Sequence, residues 1–180
     1  MENLKWALFK SQVKSLVVPS ARRREAEFAE AARADVQQGL VVAHDLVSRQ
    51  RAALDDAWDT LSFRFTEAMI FSIELQFLWG VFHEVVANGP NFPTNGYDRI
   101  LLHIISFLTR ERRMTLEEAR DHALGVQSLF NEADSLFDAV EQRGRLAYRH
   151  GGDRHFIDIV LALHQSGAKP NAYLHTHPST

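Results

Sequence analysis

Proline is distributed in a way that leaves this chain few folds to choose from. The five prolines are Pro19, Pro90, Pro93, Pro170 and Pro178, and none falls within Ser20–Gly89 (70 residues) or Thr94–Lys169 (76 residues). A proline inside a helix removes a hydrogen bond and clashes with the preceding turn, at about 3 kcal/mol. Two proline-free blocks rich in Ala, Leu, Glu and Arg therefore predict long helices with proline at the joints. The expected fold is all-α, a bundle of about six helices, two of them long and carrying coiled-coil-like seams.

Apolar spacing fills in the helices. Trp6, Phe9, Val13 and Leu16 make one stripe over Asn3–Val18, a short amphipathic helix expected to dock on the bundle, with a membrane surface as the alternative. Pro19-Ser20 reads as a stop and a restart, Ser20 serving as cap. Val36, Leu40, Ala43, Val47, Gln50, Leu54, Ala57 and Leu61 alternate steps of four and three, and only Gln50 interrupts the apolar character of that seam. A rod running to Ala87 is too long for a compact domain. A break is expected in Asp55–Thr66, where Asp and Thr caps cluster.

The most apolar stretch, Leu61–Val86, ends at the Asn88–Gly96 loop, and a short helix over Tyr97–Arg110 follows. Thr115-Leu116-Glu117-Glu118 fits a capping box. The helix it opens carries a seam from Leu116 through Ala119, Ala123, Val126, Phe130, Ala133, Phe137, Val140 and Gly144 to Ala147, stopping at Gly151-Gly152. Gly39, Gly80, Gly125 and Gly144 are isolated helical glycines that predict close packing. Asp153 is placed to cap a last helix reaching about Ser166. The length is that of one domain, assigned to residues 1–167, with 168–180 as an extended or mobile tail.

Composition narrows the function classes. The chain has no cysteine, which removes thiolate zinc sites, disulfides and cysteine nucleophiles. With 20 basic and 23 acidic residues it lacks the concentrated positive charge of a broad nucleic-acid binder. Lysines and Glu2 interrupt Met1–Val18, unlike a signal peptide, and the best span candidate, Ala68–Phe82, has 15 residues and contains Glu74. A soluble, cytoplasmic protein without a membrane span is expected. No glycine-rich phosphate loop, Gly-x-Ser-x-Gly or His-Glu-x-x-His occurs, so no catalytic residue, metal ligand or cofactor is assigned. Ser20–Leu54 holds no tight turn of the kind a TetR-type helix-turn-helix needs. His103 shares its side of the helix with Arg99, Ser106 and Arg110 and is expected to face water.

One feature runs against the pattern. On a helical wheel of Leu61–Val86, Glu67, Glu74 and Arg64 fall in the apolar arc, while Ser62, Ser72, Gln76 and His83 lie opposite. Charges carried inward need partners. Arg64, Glu67, Glu74 and His122 are therefore the candidate binding residues, either as a structural network between helices or as the lining of a ligand cleft. A metal site is disfavoured, because Glu67 and Glu74 are two turns apart and no histidine has Glu three residues before it.

Near the end, His175-Thr176-His177-Pro178 resembles the metal-binding core of JAMM/MPN+ isopeptidases. That resemblance implies further Ser and Asp ligands, a catalytic Glu and an α/β fold. It covers four residues, and the helical pattern upstream offers no sheet. The expected function is a non-enzymatic interaction protein that binds another protein chain or its own copy, like small helical immunity proteins or secretion adaptors in class only. The alternative is a ligand-binding or enzymatic bundle built on Arg64, Glu67 and Glu74.

Overall fold

The computed structural model describes residues 2–56, 65–90, 96–132 and 134–166, with side chains from residue 27 onward. These residues form six helices and no strand: α1 Glu2–Asp55, α2 Glu67–Asn88, α3 Gly96–Glu111, α4 Leu116–Asn131, α5 Ser135–His150 and α6 His155–Ser166. The chain is an all-α helical bundle. It divides into two compact units, Met1–Gln37 and Gln38–Thr180. The buried apolar side chains described here run from Leu40 to Leu163, within the second unit.

Two helix boundaries differ from the sequence reading. α1 passes through Pro19 without a stop. Proline removes one backbone hydrogen bond at a single turn, and the strong helix formers that follow, Ala21–Glu25, favour resuming the same helix. The expected long helix from Leu116 to Ala147 is two helices. Asp134 caps α5 by accepting from the backbone N–H of Leu136 (2.8 Å) and Phe137 (3.0 Å). The seam keeps its phase across the break: Ala119, Ala123 and Val126 of α4 and Phe137, Val140, Gly144 and Ala147 of α5 are buried. Leu116, at the first turn, is 62% exposed. Spacing reports which face turns inward, not whether the rod is continuous.

Other boundaries follow the chemistry expected of them. α1 ends at Asp55 and Thr66 caps α2, its hydroxyl accepting from the Met69 N–H at 3.2 Å. Thr115 and Glu118 form the reciprocal capping box of α4. In the α1 seam, Leu40, Ala43, Val47, Gln50 and Leu54 are all buried. Gln50 has a specific task there. Its amide donates to the Gly152 carbonyl (2.8 Å) and accepts from the Phe156 N–H (2.9 Å), so an α1 side chain supplies the partner that the first turn of α6 lacks.

α2 is the core helix and lies against α3, α4 and α5. It is long and apolar enough to cross a membrane by length and composition, and 78% of its most apolar window is buried inside the bundle. Burial runs all the way round it. Ser72 and Gln76, read from the wheel as the outward arc, are buried and bonded to each other at 3.3 Å. Trp79 is fully buried, stacked on Phe130 at 5.3 Å with Phe137 edge-on at 6.1 Å. Beside it α2 and α5 cross backbone to backbone. A Cβ on Gly80 would strike the Glu141 carbonyl oxygen, and a Cβ on Gly144 would strike that of Phe77. The two glycines are reciprocal, each making room for the other helix.

Candidate functional site

Glu74 is carried into the interior as expected, with a side chain 2% exposed. Two guanidinium groups meet it. Arg51 of α1 donates from Nε to Oε2 at 2.6 Å, and Arg112, just after α3, donates to Oε1 at 2.5 Å. Both carboxylate oxygens are thus occupied by charged donors, the arrangement that offsets the desolvation of a buried acid. Arg51 also reaches Glu67 at 3.5 Å. Two positive and two negative groups are gathered here, so the cluster carries no net charge. It ties together α1, the first half of α2 and the α3–α4 connection.

The four residues singled out from sequence fare differently. Glu74 is the centre of the cluster. Glu67 sits in the first turn of α2 with its side chain 75% exposed, so it is a rim group and not a buried one. The wheel placed it in the apolar arc, but that arc is not yet covered at the helix start. Arg64 lies outside the described residues. His122 reaches α2 through the ring of Phe71, edge-on at 5.2 Å. Burial lowers its pKa below the ordinary histidine value, with Asp121 and Glu118 opposing.

Sequence reasoning did not find Arg51 or Arg112, because each stands on a side of its segment that reads as solvated. Nor did it find a second buried acid, Glu84. Arg149 of α5 grips Glu84 with two bonds, Nε to Oε2 at 2.8 Å and a terminal nitrogen to Oε1 at 2.7 Å. That bond holds the Glu84 carboxyl below its usual range against the burial that would raise it. On α5 the partly buried Arg145 pairs with Glu141 at 2.6 Å. His83 stands among these charges. Burial lowers its pKa first, then Arg145, with Glu141 and Glu84 opposing.

His103 corrects an expectation. It is fully buried, not solvent-facing, with its ring 5.2 Å from Phe82 and against Gly39 of α1, where an added Cβ would lie 2.5 Å from Cδ2. Its Nδ1–H donates to the Arg99 carbonyl at 2.7 Å, which fixes the tautomer, and Arg99 donates to the Pro90 carbonyl at 3.0 Å. α1 covers a face of α3 that looks polar when α3 is considered alone. A pair between His44 and Glu111 at 2.8 Å adds a surface tie between the same helices.

A cleft of about 520 Å³ opens between the end of α1 and α6, away from Glu74. Arg49, Ala53 and Asp56 line one wall, and Asp153, Arg154 and Ile157 the other. No group of three or more His, Asp or Glu side chains suited to a metal ion occurs among the described residues. The His175/His177 motif lies outside them. Glu74 and Glu84 each bind guanidinium groups of other segments and so tie helices together, whereas Glu141 pairs with Arg145 within α5.

No protein-family model, no curated protein and no solved structure matches this chain.

Proposed function

We propose that this protein is a cytoplasmic, non-enzymatic interaction module whose outer helical faces bind another protein chain. The observation that carries this reading is the set of large apolar side chains turned to solvent on helices whose inner faces are already packed. Leu102 and Tyr97 of α3 are 47% and 42% exposed, Leu124 and Leu116 of α4 53% and 62%, and Val41 of α1 61%. Isolated exposed leucines are ordinary, but several on neighbouring elements of one small unit are the raw material of a protein interface. The polar interior supports the same reading. Glu74 has both oxygens committed to guanidinium groups, so it is poorly suited to gripping a ligand. That weakens the alternative of a ligand pocket built on Glu67 and Glu74.

The test compares the wild-type chain with the double substitution Leu102→Asp, Leu124→Asp. Both are recovered from the protein's own cells after cross-linking and weighed by native mass spectrometry. Wild type is expected to carry a stoichiometric protein partner, and the double variant to lose it while keeping its helix content and melting temperature. Partner retention in the folded variant, or a small molecule in place of a protein on the wild type, would overturn the reading.

A further inference from the structure

We propose that the first segment of α1, Asn3–Val18, binds the surface of an anionic lipid bilayer. Charge is divided unevenly along the chain. Residues 1–24 hold six basic side chains (Lys5, Lys10, Lys14, Arg22, Arg23, Arg24) and one acidic, Glu2. The chain as a whole has 20 basic and 23 acidic residues, so the remainder holds 14 basic and 22 acidic. A basic segment in an otherwise acidic chain is the part drawn to a negative surface. Glu25, Glu27 and Glu30 follow the arginine run and offset it. The three lysines, out of four in the chain, therefore carry the argument.

Their placement favours lipid over a protein groove. α1 is helical through these positions. At 100° per residue, Trp6, Phe9, Val13 and Leu16 share an arc of about 80°, Lys5 and Lys10 fall about 60° and 80° from its centre, one on each side, and Lys14 falls about 120° away on the polar side. Lysines bordering an apolar stripe extend their ammonium groups to lipid phosphates while the apolar residues enter the acyl boundary. Tryptophan is the residue most at home at that depth. The stripe runs only from Trp6 to Leu16 and is interrupted by lysines, which suits a segment lying in the interface plane and not one crossing it. This inference is independent of the interaction surface on α3 and α4.

The full-length protein tests it by co-flotation with vesicles. One set is phosphatidylcholine alone, and the other equal parts phosphatidylcholine and phosphatidylglycerol. Binding is expected to the anionic vesicles only, to weaken as salt is raised, and to fall about fivefold per lysine removed, so about a hundredfold for Lys5→Gln, Lys10→Gln, Lys14→Gln together. Phe9→Ser is expected to weaken it with the charge intact. Circular dichroism checks that the variants keep their helix content, and the salt titration of wild type reads the same attraction should a variant misfold. Equal binding to neutral vesicles, no binding to either set, or an unchanged triple variant overturns the proposal. So does a salt-sensitive dimer that ignores lipid, because the basic segment would then be seated on the acidic body of a second copy.

Discussion

Glu74 shows how much one buried charge can organise. It is held by Arg51 from one helix and Arg112 from a loop, and neither arginine is itself fully buried. Replacing it by Gln removes the charge and leaves two guanidinium groups facing each other across a neutral amide. Breaking one side of a buried pair costs about 3–5 kcal/mol where all partners are desolvated. Here water can reach both arginines, so a loss of about 1–3 kcal/mol is expected for Glu74→Gln. Urea denaturation of the purified variant checks it. An unchanged midpoint would mean that solvent already screens the pairs. That an acid would be buried at this position was legible in the sequence, since residue 74 falls among apolar neighbours on any helical wheel. Its partners were not, because nothing in the spacing of Arg51 or Arg112 links them to residue 74 before the chain folds.

At the scale of the element, the decisive contact is the crossing of α2 and α5. Two glycines lie where the helices touch, and each faces a backbone carbonyl of the other helix. Backbone cannot swing aside as a flexible side chain does, so an added methyl must push the helices apart. Gly144→Ala is expected to lose about 1–3 kcal/mol despite alanine's better helix propensity, and Gly80→Ala a similar amount. Thermal unfolding followed by circular dichroism measures both, and a gain in stability would show that propensity outweighs the clash. The sequence marked these glycines as packing points because nothing else explains glycine inside a helix. Which helix approaches each one came only from the fold. The division of α4 from α5 is a similar case. Asp134-Ser135 is a good cap pair, yet the unbroken seam of apolar residues concealed it.

For the whole molecule, the ionisable groups of the interior set a direction with pH. Burial lowers the pKa of His83 and His122 below 6.5, so at mildly acidic pH the unfolded chain binds protons there that the folded protein does not. Stability contributed by these neutral rings is present above 6.5 and is lost as the pH falls from there towards their folded values. Glu84 is held below the usual carboxylate range by Arg149, so its contribution persists through that window and is lost in stronger acid. A melting temperature that is steady near neutrality and falls in two stages on acidification is expected. His122→Asn should blunt the first stage and leave the second. A melting temperature that rises on mild acidification would contradict it.

What the residues alone determined is the rod-like character of this protein: proline confined to few positions, apolar side chains every three or four places, caps at Thr66 and Thr115, and an acid that had to be buried. These follow from local sterics and from the period of the helix, and they act before any two helices meet. Tertiary packing decided the rest. It parted the second seam at Asp134, buried His103 beneath α1, and brought Arg51, Arg112 and Arg149 to their acids. Those outcomes depend on which faces are brought together across long stretches of chain, and no periodicity within one segment encodes that choice.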